Sequence, residues 1–414
     1  MRIPALTVIF CYLLVIAMDF LIIYDLRKMS IYNKYLQKNK TPGIWWKIFA
    51  VFAILTLIEF TVAIALPHRG ESNSITSKMW LLYIYFTIFI AQLIYCLCSL
   101  TGYVALAFKR ERLNTGLWIG LPLAVMVFCA MWWGALVGKN RIQTVRVEIS
   151  SPRLPQSFNG YKIAQISDFH VGTWGQDTAF ISRLVDSVEN LHPDLIVFTG
   201  DIVNRKASEL LPFEKVLSRL KAPDGVYSIL GNHDYGDYVD WQSPDLKVAN
   251  LETLKEVQKK MGWRMLNNEH VVLRNQVGDS IVLIGVENWG EPPFPKYGKL
   301  KDAYPETKFF DNNFKILLSH NPEHWNREVR ENSNIDLTLA GHTHAMQIML
   351  SIGNWKWSPS KFRYDKWGGL YSGVNKRGET TNLYVNIGAG EVGLPMRIGA
   401  TPEITLITLK DGDY

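Results

Sequence analysis

Nine residues of this chain have the types and spacing that metal chemistry needs. Asp168 and His170 stand in Ile-Ser-Asp-Phe-His, and Asp201 closes Phe-Thr-Gly-Asp. Asn232, His233 and Asp234 stand in Leu-Gly-Asn-His-Asp, His320 closes Leu-Leu-Ser-His, and His342 and His344 lie in Leu-Ala-Gly-His-Thr-His. Asp-x-His or Gly-Asp alone is an ordinary turn signal, whereas Gly-Asn-His-Asp is more specific and His-x-His already suggests metal. Together, each directly after a short apolar run, they point to oxygen and imidazole ligands for manganese, iron or zinc, with no thiolate to select a softer metal. They are too many for one ion and suit two. Asp201 is placed to bridge, since a carboxylate can offer one oxygen to each ion. Two such ions acidify water and clamp a phosphoryl group for in-line attack. A histidine not needed as ligand can protonate the leaving oxygen.

These clusters need a scaffold that brings distant strand ends together. The runs 162–166, 195–199, 226–230, 281–286, 315–318, 337–340 and 383–387 read as strands, and 141–150 alternates as another. Helical spacing lies between them, as in Phe180, Leu184, Val185, Val188 and Leu191. Strands alternating with helices predict a layered α/β domain with ligands gathered at strand ends. A turn after Gly341 would let His342 and His344 both aim inward.

In their order, Asp-x-His, Gly-Asp, Gly-Asn-His-Asp, His and Gly-His-x-His, the clusters resemble the calcineurin-like metallophosphoesterase superfamily. The likeness runs from Arg141 to Leu409 and is nearest to its membrane-anchored, YkuE-like and YaeI-like bacterial branch. "WSPSKFRYDKWGGLYS" and "GLPMRIGATPEITLITL" add to it. The resemblance implies a four-layer αββα sandwich. It assigns Asp168, His170 and His344 to one metal and Asn232, His320 and His342 to the other, with Asp201 bridging. It makes His233 the catalytic acid, with Asp234 orienting it. Gly200, Gly231 and Gly341 would let the backbone turn sharply beside the ions. Where many relatives read Gly-Gly-Gln, this chain has Ala345, Met346 and Gln347.

Upstream, the composition changes. Mean hydropathy is near zero over the whole chain, but four apolar stretches, 3–26, 44–66, 80–108 and 117–137, are each long enough to cross a bilayer. All four cysteines (Cys11, Cys96, Cys98 and Cys129) lie in them. A linker and first strand, 138–151, lead into a phosphoesterase domain over 152–414. Arg27, Lys28, Lys34, Lys38, Lys40 and Lys47 follow the first stretch, and Lys109, Arg110 and Arg112 the third; only Arg69 and Lys78 separate the second from the third. The positive-inside rule then puts the C-terminal domain on the outer side of the cytoplasmic (inner) membrane, and an odd number of spans would reverse it. Asp19 and Glu59 within the spans read as packing or orienting groups. The net charge of +6 carries no basic stripe, so no nucleic-acid-binding signature is present.

The expectation is a membrane-anchored, dinuclear-metal hydrolase of phosphate ester or pyrophosphate bonds. A metal-bridging hydroxide would be its nucleophile, and a lipid or lipid-linked phosphate would suit its short tether. The alternative is a non-catalytic metal-binding scaffold or sensor with the same fold, against which His233 speaks. Elsewhere, His324 reads as a packing or supporting residue and His192 and His270 as surface turn residues. The aromatic run Trp355, Trp357, Phe362, Tyr364, Trp367, Tyr371 reads as a loop packed over the sheet edge, with a lid or membrane-facing platform as its alternative. Asn288–Gly298 could border the site.

Overall fold

The computed structural model describes all residues except 1–4, 29–43, 68, 72–73, 109–112, 293–294, 305–310, 354, 376 and 413–414. The loop cations Lys34, Lys38, Lys40, Lys109, Arg110 and Arg112 lie outside the described residues, as do two positions of the 288–298 loop. The chain forms two compact units: Met1–His68 with Ser77–Trp133, and Arg69–Thr76 with Gly134–Tyr414.

The first unit is built on helices α1 (Ala5–Lys28), α2 (Ile44–Ala65), α3 (Thr76–Ala107) and α4 (Leu121–Leu136), the last preceded by a π-turn at Gly116–Gly120. All four are long and apolar enough to span a membrane, and α3, despite its length, is one continuous helix. Apolar side chains have little reason to leave lipid for each other, so polar pairs help to join such helices. Gln92 on α3 donates to Asp19 on α1 at 3.1 Å, and Ser99 and Tyr95 on α3 donate to Asp25 on α1.

The second unit contains two six-stranded sheets. The first runs β1 (Gln143–Ser151), β14 (Glu403–Asp411), β2 (Lys162–Ile166), β3 (Leu195–Phe198), β4 (Val226–Ser228), β5 (Arg264–Met265). The second runs β12 (Gly369–Val374), β13 (Thr380–Val385), β9 (Leu337–Ala340), β8 (Lys315–Leu318), β7 (Ser280–Gly285), β6 (Glu269–Arg274). Strands β2 to β5 are mutually parallel, as are β7, β8, β9 and β13. A small hairpin, β10 (Leu350–Ile352) with β11 (Trp355–Trp357), belongs to neither sheet.

Period-two alternation explains the layering. On β3, Leu195 and Val197 join the core between the sheets, while Ile196 and Phe198 face helix α5 (Ala179–Glu189) and helix α6 (Pro244–Lys260). On β7, Ile281 and Leu283 point between the sheets, and Val282 and Ile284 pack outward with Trp325 and Val329. Helix, sheet, sheet and a thin helical layer give the αββα sandwich that the resemblance implies. His270 corrects the reading of a surface turn: it is half-buried in β6, and its Nδ1 pairs with the Ala303 carbonyl at 3.0 Å.

The sheets pack tightly at Gly285, where an added Cβ would lie 2.3 Å from the Leu266 Cβ and 3.0 Å from Ile229. Gly285→Ala should therefore cost about 1–3 kcal/mol through overpacking. It would be read as a lower melting temperature of the full chain in detergent; an unchanged melting temperature would mean that the sheets part without penalty.

Candidate metal centre

Five parallel strands, β2, β3 and β4 from one sheet and β8 and β9 from the other, bring their C-terminal ends to one place. Their loops carry Asp168 and His170, then Asp201, then Asn232 to Asp234, then His320, then His342 and His344. The donor atoms form three groups: Asp168, His170 and His344; His170, Asp201 and His233; Asp201, His320 and His342. Asn232 joins the last, with its Oδ1 3.2 Å from His320 Nε2.

Asp201 sits at the centre. Its Oδ1 accepts the His233 backbone amide at 2.8 Å, leaving Oδ2 to face both sides, 3.6 Å from His170 Nε2 and 3.2 Å from His320 Nε2. Asp201 Oδ2 thus looks toward both histidine groups. His170 Nε2 meets His344 Nε2 at 3.0 Å, His344 Nε2 lies 3.3 Å from Asp168 Oδ1, and His342 Nδ1 lies 3.1 Å from His320 Nε2.

The protonation pattern suits cations. Burial raises the Asp168 and Asp201 carboxyls, yet the imidazoles facing them, chiefly His344 and His320, hold both well below the usual range. Burial, helped by His233, takes His170 well below its ordinary value, and burial with His320 beside it takes His342 down to about 3. His320 moves the other way: burial lowers it, but Asp201 outweighs burial and brings it up to about 9. The ionised carboxylates and the neutral His170 and His342 are in the forms that divalent ions take up, whereas His320, held protonated by Asp201, has to give up its proton to an incoming metal.

Outer nitrogens are fixed by neighbours, which orients the rings. His320 Nδ1 pairs with the Thr199 carbonyl at 2.7 Å, and His342 Nε2 pairs with the Tyr364 hydroxyl at 2.9 Å. His233 Nδ1 pairs with the Asn204 carbonyl at 2.7 Å, while its ring stacks on Tyr238. This alters the expected part of Asp234. Its carboxylate accepts the amides of Gly231 at 2.8 Å, Asp201 at 2.9 Å, Ile202 at 3.0 Å and Val203 at 3.3 Å. It therefore holds the two loops that carry Asp201 and His233, and the Asn204 carbonyl orients the ring.

The backbone answers how alternate residues point the same way. Asp168, His170, Asp201, His342 and His344 all have left-handed φ, between 43° and 76°. Ala345 (50°), Met346 (43°) and Gln347 (61°) continue the run. Among the three glycines, only Gly200 has positive φ (96°). Gly231 and Gly341 are needed for space instead: an added Cβ would lie 2.2 Å from Asp201 Oδ1 and 2.1 Å from Ser167 Oγ, respectively.

The centre opens into a cavity of about 230 Å³ lined by His233, Tyr238, Asn288, Glu291, Arg363 and Tyr364, among others. Asn288 and Glu291 come from the loop expected to border the site. Of the aromatic run, Trp367 is buried and Tyr364 reaches the site, but Trp355 and Phe362 stand exposed, so packing over the sheet edge describes only part of it. His324 is buried, bonded to Ser319 and stacked on Trp289; His192 is an exposed turn residue. Sequence reasoning missed Arg397, wholly buried and held by the carbonyls of Ile387, Gly390 and Ala400, with Nη2 3.2 Å from His344 Nδ1. No spacing marks it, because its partners come from three points of an irregular loop.

Residues 161–346 match the calcineurin-like phosphoesterase family profile, and residues 1–139 match one described as a probable calcineurin-like phosphoesterase transmembrane domain. The uncharacterized metallophosphoesterase YkuE of Bacillus subtilis is 30% identical over 278 residues, covering 66% of this chain and 86% of YkuE. The chain belongs to the calcineurin-like phosphoesterase family. A Danio rerio transmembrane protein with metallophosphoesterase domain is 31% identical over 73% of this chain, which spans 65% of that relative's length. An uncharacterized metallophosphoesterase of Campylobacter jejuni is 26% identical over 94% of this chain and 96% of its own. The chain is thus a membrane-associated phosphoesterase of a family that uses divalent metals, its sandwich is consistent with that family's fold, and its grouped His and Asp side chains could hold such ions.

For this phosphoesterase, left-handed backbone at Met346 has a testable cost. Met346 is 46% exposed, so its side chain contributes little packing. Met346→Gly should stabilise the full chain by about 1 kcal/mol, because an L-residue in the left-handed region costs roughly that much. A fall in melting temperature would overturn this reading.

Proposed function

We propose that the protein is a dinuclear-metal phosphoesterase that cleaves phosphate ester or pyrophosphate bonds at the outer face of the cytoplasmic membrane. The functional division is an anchor over 1–137, a linker and first strand over 138–151, and a catalytic domain over 152–414. The observation that carries the proposal is Asp201 Oδ2, set between His170 and His320 with its companion oxygen already occupied. Asp168, His170 and His344 would hold one ion, and Asn232, His320 and His342 the other, with Asp201 shared. The nitrogen and oxygen donors favour manganese, iron or zinc. When bound, such a pair acidifies water and neutralises phosphoryl charge.

The chain's own residues supply the remaining work. With His233 Nδ1 engaged by the Asn204 carbonyl, Nε2 is the nitrogen that can hand a proton to the leaving oxygen. Asp234 keeps that ring and Asp201 in register through the backbone. Lipid or lipid-linked phosphates are the favoured substrates because the linker is short.

Two features support the outer location. The cations flanking the spans follow the positive-inside pattern. Residues between the second and third spans also belong to the catalytic unit: Arg69 pairs with Asp240 at 2.8 Å, and Glu71 accepts the Gln242 amide at 2.8 Å. An even number of spans after that loop puts both on one side.

Metal removal by a chelator should abolish hydrolysis of an aryl phosphodiester or monoester by the full-length protein, and manganese should restore it. His233→Ala should keep its metal content, measured by elemental analysis, and lose about 10²-fold or more in kcat. Full turnover in that variant would remove His233 from its role. A protease-sensitive tag after Tyr414 should be cleaved in intact spheroplasts; protection that ends only on lysis would reverse the topology.

A further inference from the structure

The β10–β11 hairpin presents an apolar face that neither sheet covers. Its register pairs Leu350 with Trp357 and Ile352 with Trp355, so these four share one side, and Ser351 with Lys356 the other. Leu350 is 50% exposed, Ile352 75% and Trp355 54%; Phe362, edge-on to Trp357, is 85% exposed. Scattered exposed apolar residues are ordinary, but a continuous face of large ones marks a binding surface.

Its position in the fold says what covers it. Ile348, two residues before Leu350, bridges Ile398, and Met349 donates its amide to the Ile398 carbonyl at 2.8 Å. The adjoining Arg397 donates its amide to Gly134 at 3.2 Å, and Gly134 packs so closely on Ile398 that an added Cβ would lie 2.6 Å from it. Gly134 lies in the last turn of α4, the fourth membrane-spanning helix, in the stretch that belongs to the catalytic unit. Within the catalytic unit, the base of the hairpin is thus tied through Ile398 and Arg397 to the end of the fourth membrane-capable helix. Over 350–367, three lysines (Lys356, Lys361 and Lys366) stand against one carboxylate, Asp365, while Arg363 pairs with Glu291 at 2.9 Å. Tryptophan with aliphatic residues on one side and lysines around them suits the headgroup boundary of an anionic bilayer.

We propose that this face, with Phe362, seats in the headgroup–acyl boundary of the membrane the chain itself spans and holds the lip of the metal cavity at the lipid surface. The same segment forms that lip. Ser358 donates to the Ala345 carbonyl at 2.6 Å and Ser360 to the Thr343 carbonyl at 3.3 Å, and Arg363 and Tyr364 line the cavity. The membrane contact rests on the catalytic reading only for calling that cavity the active site.

The test needs no turnover. The full-length protein, with p-benzoylphenylalanine replacing Ile352 or Phe362, is reconstituted in phosphatidylethanolamine–phosphatidylglycerol vesicles and illuminated. The control carries the same probe at Val277, 74% exposed in the turn between β6 and β7. Phospholipid adducts at 352 and 362 should exceed those at 277 by at least about tenfold. Yields equal to the control, or protein–protein adducts in place of lipid ones, would overturn the proposal. Hydrolysis of a soluble aryl phosphodiester by the same variants tests the catalytic reading separately, so either can fail without the other.

Discussion

The structure depends on one electrostatic constraint: carboxylates and imidazoles are gathered in a buried space where each must be matched by a partner of suitable charge, as His320 and Arg397 show. Asp201 concentrates the problem in a single oxygen facing two histidines. Groups this close and this dry must be satisfied by cations or be driven apart. The surrounding fold resists separation. Five strand ends, two sheets and a series of left-handed residues fix the donors from several directions. Glycines stand wherever a Cβ would intrude on a ligand carboxylate or its support. Strained backbone of this kind persists where the environment over-determines it, and here it does so at most of the ligand positions.

What could be read from the sequence follows from what residue type alone can determine. That these donors gather at one place was legible because few side chains bind such ions, and the strand ends because Leu195–Phe198 and Leu337–Ala340 are short, wholly apolar and abruptly terminated. Hydrogen-bond partners were not legible. Asp234 follows His233 in the chain, so its service to amides in another loop leaves no local trace, and the same holds for Asn204 and Arg397. The antiparallel flank β12 and the long strand β14 depend on pairing with distant strands, and His270 owes its half-buried place to such a pairing. The hairpin's aromatic residues could be seen, but whether they face inward or outward is set by register, which a linear pattern with both options apolar does not specify.

One stretch of chain unites the parts. Between Thr343 and Tyr364 it passes from a metal-ligand turn to an exposed hairpin and back to the mouth of the cavity, and buried serine hydroxyls pin its return to its outset. A loop built this way has few independent motions. Its outer surface and the surface that bears His344 share a backbone frame, so a displacement of one is passed to the other.

The carboxylate of Asp234, with its four backbone amides, gives the centre a further character. These are bonds between protein groups, as are those of Asp168 to the His342 amide and of His320 to Thr199. They fix the donor loops to one another through the backbone, so the aim of each donor is set by loops that lie far apart in the chain. Sites of mixed nitrogen and oxygen donors discriminate weakly among first-row divalent ions, and much of the choice falls to availability. The identity of any bound pair would then record the compartment in which the protein meets its ions, making metal content a property of place as much as of sequence.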